Sequence, residues 1–313
     1  MGMRVRMGRR RGMRQVLYSS CERIVVVMLA TSMFFVLAYA SKARAADSRW
    51  YVGANLPVMY IDDTDTTITG ESADHTMPMA PRTPYRAEAE NKFDTGYKLE
   101  GFVGYELGSN FRIELEVFYA EADVDKLYYS GITTSHPVLG PQSVPGRKSI
   151  PISGTAEQMG ASLNLWYDFD FGSKWIPYVG AGIGILEIDF GDIDYDDNAL
   201  AQEVANHLAV LGAQALAAQA GQPPPPPELV LMDPRLQLPE GHVPEISRTD
   251  TVVSYQFAAG VSYKFRENML FRMGYRYQTS DDLKFDGSNA SGTVSTKSDF
   301  EVQFLEIGIR YHF

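Results

Sequence analysis

Between Tyr97 and Leu107 the chain alternates without a break. Tyr97, Leu99, Gly101, Val103, Tyr105 and Leu107 fall on one side of an extended backbone, and Lys98, Glu100, Phe102, Gly104 and Glu106 on the other. Strict alternation marks a strand with two unlike faces, because successive side chains point opposite ways. The pattern returns from Phe111 to Tyr119, where Arg112, Glu114, Glu116 and Phe118 oppose Ile113, Leu115 and Val117. Gly108-Ser109-Asn110 lies between the two runs and has turn composition, so the pair reads as a hairpin. Further runs follow at Met159–Tyr167, Trp175–Gly184, Tyr255–Phe265, Phe271–Gln278 and Leu305–Phe313. The first, Trp50–Tyr60, is interrupted by Pro57. The pattern predicts eight strands.

The connections alternate in length. Those around Ser109, Gly172 and Glu267 are short, whereas 62–93, 124–153, 189–250 and 280–298 are long. This regular asymmetry is the plan of a membrane barrel with short periplasmic turns and long extracellular loops. The polarity of the faces agrees. Tyrosines or phenylalanines sit eight residues apart on the apolar face, at Tyr97 and Tyr105, Phe111 and Tyr119, Tyr255 and Tyr263. Eight residues span ~26 Å of strand, or ~20 Å of height once tilted, near the apolar band of such barrels. A soluble lipocalin-like barrel would instead have to hold the charged face in its core. The expected fold is therefore all-β: an eight-stranded antiparallel up-and-down transmembrane barrel, with 46–313 as one domain and the bacterial outer membrane as its location.

The inward face then carries Lys98, Glu100, Glu106, Arg112, Glu114, Glu116, Lys264, Arg272, Arg276, Glu306 and Arg310. These are nearly balanced. Charges in a narrow interior should pair, since an unpaired buried charge is very costly. Eight strands leave just enough room for side chains to fill the lumen. The expectation is a plugged interior with an ion-pair network. The alternative is a narrow porin-like conduit for ions or small solutes, gated by exchange of pairs such as Glu114–Arg276.

The N-terminus changes the charge picture. Arg4, Arg6, Arg9, Arg10, Arg11 and Arg14 form a basic head, followed by an uncharged run from Ile24 to Ala40 and by Ala43-Arg44-Ala45. That order describes a signal peptide, residues 1–45, cut after Ala45; a retained signal anchor is the rival, though the run is shorter than the ~20 residues a spanning helix needs. Met13 could serve as the start. Nine of the 28 basic and one of the 39 acidic residues lie in this segment, leaving 19 against 38, a net −19. So acidic a chain is no nucleic-acid binder. Cys21, the one cysteine, leaves with the signal peptide, which suits an oxidising compartment and excludes a disulfide framework.

The loop 189–250 has its own organisation. Ala199–Ala220 predicts a helix capped by Asp197 or Asn198, with Leu200, Val204, Leu208, Leu211 and Ala215 on one stripe. Pro223–Pro227 predicts a stiff extended stretch. The helix either lies on the rim as decoration or buries its stripe against an extracellular partner. Asp192, Asp194, Asp196 and Glu203 match positions 1, 3, 5 and 12 of a calcium loop. Asp197 stands where that loop needs glycine, so a solvated acidic segment ahead of the helix is the competing reading. No resident cofactor is expected.

Catalysis finds little support. Lipid A-modifying chemistry would need a His–Ser or similar pair near the outer rim. His75, His136, His207 and His242 fall in loops, His312 falls at the opposite end, and Ser135-His136 would point to opposite faces of a strand. The chain is not expected to be an enzyme.

Trp50-Tyr51-Val52-Gly53-Ala54, Pro177-Tyr178-Val179-Gly180-Ala181-Gly182-Ile183-Gly184 and Ile307-Gly308-Ile309-Arg310-Tyr311-His312-Phe313 resemble the small outer-membrane β-barrel family. That family includes the outer membrane protein A barrel domain and porin-family surface antigens of proteobacteria. The resemblance implies that Phe313 is read by the barrel-assembly machinery. No peptidoglycan-binding domain follows the barrel, so an anchoring role is not implied, and the third long loop is larger than the family needs. The role expected is structural or surface-interacting, for a monomer whose partners are outer-membrane lipid or lipopolysaccharide, the assembly machinery and an extracellular partner at 189–250.

Overall fold

The computed structural model describes residues 49–72, 82–136, 140–151, 155–190, 197–238, 246 and 248–313. The expected signal peptide with Cys21, the loop histidines His75 and His242, and Asp192, Asp194 and Asp196 of the calcium candidate lie outside them.

Eight antiparallel strands close on themselves: β1 (Trp50–Ile61), β4 (Gly96–Gly108), β5 (Phe111–His136), β7 (Thr155–Asp168), β8 (Trp175–Asp189), β9 (Thr249–Arg266), β10 (Met269–Ser280) and β13 (Glu301–His312). Each pairs with the next in sequence, and β13 returns to β1 with Tyr51 opposite His312 and Ile61 opposite Val302. Closure leaves no unpaired edge in the ring. The β4–β5 turn shows how local chemistry sets register. Ser109 and Asn110 both have positive φ, 51° and 67°, as a two-residue type I′ turn requires. Gly108, at φ 95°, supplies the bulge at the register shift beside it.

The barrel is apolar outside. Leu99, Val103, Leu115, Val117, Leu163, Ile183, Ile185, Phe257, Leu305, Ile307 and Ile309 are exposed there. Aromatic pairs gather at the short-turn rim: Trp50 lies 4.9 Å from Tyr105, Phe111 4.9 Å from Tyr167, and Trp175 4.6 Å from Tyr263. No helix among the described residues is long and apolar enough to cross a membrane; the strands do the crossing.

The stretches 62–93, 124–153 and 280–298, expected as loops, are largely strand. β2 (Thr64–Ser72), β3 (Thr83–Phe93), the far half of β5, β6 (Gly140–Pro151), β11 (Leu283–Ser288) and β12 (Gly292–Ser298) form a second sheet in the order β11-β12-β2-β3-β5-β6. Each continues a barrel strand, so six of the eight walls rise beyond the ring. The walls of β8 and β9 do not, and the 190–248 segment leaves between them. Period two is absent from β2, where threonine occupies both faces in Thr64-Asp65-Thr66-Thr67-Ile68-Thr69, and is too brief to stand out in β3, β11 and β12, which bury only Ala87 and Ala89, Leu283 and Phe285, and Val294 as apolar side chains. Threonine still favours the extended backbone. On this extension Lys92 lies 2.6 Å from Asp63 and 3.1 Å from Glu90; these hydrogen bonds, Asp63 first, hold its ammonium well above the usual lysine range.

Beyond β8, α1 (Asp197–Gln219) and α2 (Pro227–Leu231) fold against each other. Residues 222–226 form neither helix nor strand, Pro226 has φ −58° and ψ 135°, and Pro227, expected to end the extended stretch, instead opens α2, where its missing N–H costs nothing. Gln202 ties α1 to the chain beyond α2, donating to the Leu236 carbonyl at 2.8 Å and accepting from the Leu238 amide at 2.7 Å. Glu203 is on α1.

Candidate functional site

Strand period two stacks the lumen in layers. Along β5, rising from the short-turn end, the inward positions read Arg112, Glu114, Glu116, Phe118, Ala120, Ala122, Val124, all buried. Charge gives way to hydrocarbon along a single strand. β13 follows the same order, from Arg310 and Glu306 to Phe304, Val302 and Phe300.

The lowest layer joins Arg112, Arg272 and Arg310 to Glu114 and Asp168. Arg112 Nε donates to Asp168 at 3.0 Å, and its Nη1 pairs with Glu114. Arg272 Nη1 reaches Glu114 at 3.4 Å, Arg310 Nη1 reaches Asp168 at 3.2 Å, and the Tyr51 hydroxyl donates to Glu114 Oε1 at 3.0 Å. Aromatic rings fill the space between. The Arg112 guanidinium carbon is 4.8 Å from the Trp166 ring, that of Arg272 lies 4.9 Å from Phe102 and 5.1 Å from Tyr178, and that of Arg310 lies 5.2 Å from Tyr51. Such stacking stabilises a cation where water is excluded. Cross-strand glycines make room for it. A Cβ on Gly104 would enter the Tyr51 ring, and one on Gly180 would enter Trp166.

The middle layer centres on Arg276, with no exposed surface. Its Nη2 is 3.2 Å from Glu100, Nη1 2.6 Å from Glu116, and Nε 2.6 Å from Glu306. Lys98 Nζ meets Glu100 at 3.0 Å and Glu116 at 3.4 Å. Asn55 donates to Glu100 at 2.5 Å, and Asn164 donates to Glu116 at 3.2 Å and accepts from Gln256. Glu100 and Glu116 thus gain hydrogen bonds from neutral side chains as well as ion partners, and Arg276 Nη1 also donates to Gln256 at 3.2 Å, the condition under which burial of charge is tolerated.

The upper layer is hydrocarbon. Met59, Ile61, Phe118, Ala120, Ala122, Leu186, Ile188, Leu283, Phe285, Phe300, Val302 and Phe304 form one buried cluster, and Phe93, Phe190, Ile246 and Val252 pack against it. Lys98 Nζ lies 4.1 Å from the Phe118 ring and 4.7 Å from Phe304, so cation–π contact joins this layer to the charges below.

Nine of the eleven inward charges expected from sequence lie buried in the lower layers: Lys98, Glu100, Arg112, Glu114, Glu116, Arg272, Arg276, Glu306 and Arg310. The other two do not join them. Lys264 is exposed, because it sits at the short-turn mouth opposite Leu270, beside a break in the β9–β10 register. Glu106 is at the same mouth, half-exposed and 3.5 Å from His312 Nδ1. The suggested Glu114–Arg276 pair is not made; Glu114 belongs to Arg112 and Arg272, and Arg276 to Glu100, Glu116 and Glu306. Sequence reasoning assigned Asp168 no role, although it continues the inward series Asn164, Trp166 by two. It also passed over Tyr51, because Pro57 obscured the parity of β1. His207 lies on α1 and His312 at the opposite end of the barrel, and Phe313 donates its backbone N–H to the Trp50 carbonyl at 3.3 Å.

Residues 26–313 match the model of the outer membrane protein beta-barrel domain. Among solved structures, the chain resembles Neisserial surface protein A at 16% identity, covering 85% of this chain and 98% of that one, with a TM-score of 0.37. OprG from Pseudomonas aeruginosa matches at 14% identity, 85% and 97% coverage, and a TM-score of 0.41. Outer Membrane Protein W of E. coli matches at 14% identity, 85% and 98% coverage, and a TM-score of 0.34. A search of curated protein sequences finds no match.

Proposed function

Because this chain belongs to the outer membrane protein beta-barrel domain family and resides in a bacterial outer membrane, we propose that it is a closed, non-conducting barrel. Its role is to display a raised β wall and a helical segment at the cell surface. The observation that carries this reading is the filled lumen. A hydrated ion crossing it must part Arg276 from three carboxylates and then pass a hydrocarbon layer lined by Phe118, Phe300 and Phe304. The competing reading, a narrow channel for ions or small solutes, needs both barriers to open in each conduction event.

In this reading, the six-stranded wall and residues 190–248 face the extracellular medium, since short turns of such barrels face the periplasm. The apolar outer surface packs against membrane lipid, with lipopolysaccharide in the outer leaflet, and Phe313 at the end of β13 is the mark read by the barrel-assembly machinery. Partner binding belongs to the surface segment.

Planar-bilayer recording of the purified protein tests the reading. The expected result is a silent bilayer, with the folded barrel verified by its heat-dependent gel mobility. Steady unitary openings would replace it with the channel. A second expectation concerns the surface. Deleting residues 197–238 should leave gel mobility and lumen stability unchanged while abolishing adhesion of expressing cells to a host or neighbouring surface; adhesion that survives the deletion would move the partner site elsewhere.

A further inference from the structure

The buried charges balance over the lumen as a whole but not within each layer. The middle layer sets Lys98 and Arg276 against Glu100, Glu116 and Glu306. The lowest sets Arg112, Arg272 and Arg310 against only Glu114 and Asp168. Guanidinium groups stay charged in proteins, so the lowest layer carries one positive charge in excess.

Its donors show the same surplus. Arg112 Nη2, Arg272 Nε and Nη2, Arg310 Nε, Trp166 Nε1 and Ser262 Oγ are buried and find no hydrogen-bond partner among the described residues. Against them stand only Glu114 Oε2 and the lone pairs of the Ser262 hydroxyl itself. These donors are neighbours. Arg272 and Arg112 stack on Trp166 at 5.2 and 4.8 Å and on Tyr178 at 5.1 and 5.6 Å, and Ser262 is directly opposite Arg272 in the β9–β10 register. Buried donors are ordinarily satisfied. The unmatched layer calls for an acceptor that carries one negative charge.

We propose that the lowest layer of the lumen is a binding site for one small monovalent anion of halide size, held by Arg272 with the Trp166 indole N–H and the Ser262 hydroxyl. The excess of one charge sets the valence. The packing of Tyr51, Phe102, Trp166 and Tyr178 across the lumen limits the size. Arg112 and Arg310 each leave one buried nitrogen without a partner, Nη2 and Nε, whereas Arg272 leaves two, Nε and Nη2. The ion completes the plug. The site does not depend on whether the barrel conducts, which bilayer recording reads separately.

Trp166 provides the reporter. Trp50, Trp166 and Trp175 are the three tryptophans, and Trp50 and Trp175 are exposed. A Trp50→Phe, Trp175→Phe protein in detergent leaves Trp166 alone to fluoresce. Titration with sodium iodide at constant ionic strength should give saturable quenching with a midpoint in the millimolar range. Sodium chloride should displace it, raising the midpoint at least threefold, and sodium gluconate should not. Arg272→Gln should abolish the saturable component while the barrel keeps its heat-dependent mobility. Quenching that is absent, linear in iodide, or indifferent to chloride would overturn the proposal. The chloride competition decides even if Arg272→Gln fails to fold.

Discussion

Replacing Arg276 with leucine destabilises the barrel by about 3–5 kcal/mol, the cost of breaking a buried ion cluster by removing one partner. The reason is the count of what remains. Glu100, Glu116 and Glu306 all pair with this one guanidinium, and Lys98 alone is left to face them. Glu306 has its ion pair only with Arg276 among the described residues, so it becomes an unmatched buried carboxylate. Reversible urea unfolding in detergent or lipid, followed by gel mobility, measures the loss. Adding Glu306→Gln to Arg276→Leu should recover at least about 1 kcal/mol, since an uncharged amide is far cheaper to bury than a carboxylate. An unchanged midpoint in Arg276→Leu would mean that water reaches this layer and that the lumen is not sealed there.

Trp166→Ala is the second large loss, about 3–5 kcal/mol, the range for truncating a buried aromatic. Its ring is the surface on which both Arg112 and Arg272 stack, so the truncation removes packing and cation–π contact together. Gly180→Val attacks the same contact from the other wall, because its side chain would enter the Trp166 ring; overpacking of this kind costs about 1–3 kcal/mol. The two changes should not add. The side chain introduced by Gly180→Val occupies space that Trp166→Ala vacates, so the double variant should lie about 0.5–3 kcal/mol short of the sum, as expected of residues in contact. Strict additivity in a double-mutant cycle would show that Gly180 is not there to seat the tryptophan.

The ring of eight strands was legible in the residues because one of its faces is bathed in lipid and the other is charged. That contrast writes period two into the chain from Lys98 to Leu107 and from Arg112 to Tyr119 without interruption. Where the contrast vanishes the signal vanishes too. β2, β3 and β12 have water on one side and bury only small or hydroxyl side chains such as Thr64, Thr66, Ala87, Ala89, Val294 and Ser298 on the other, so Thr64–Ser72 and Gly292–Ser298 read as loop while folding as wall. The inward set was read from parity alone, and nine of its eleven charges are buried. Parity cannot report depth. Lys264 and Glu106 have the parity of the lumen and the position of its mouth, and there water replaces ion partners.

Residue order alone settled which side chains share a face, and hence that the chain closes into a barrel with charge inside and hydrocarbon outside. The reason is local: adjacent residues of a strand point opposite ways whatever the strand pairs with. Which charges meet was settled by the closed ring. Arg276 finds Glu116 from 160 positions away, through the stagger of strands around the barrel, and that stagger is a property of closure that no single strand contains. The same closure sorts the lumen into a layer with one cation too many, a layer with one carboxylate too many, and a hydrocarbon seal above them.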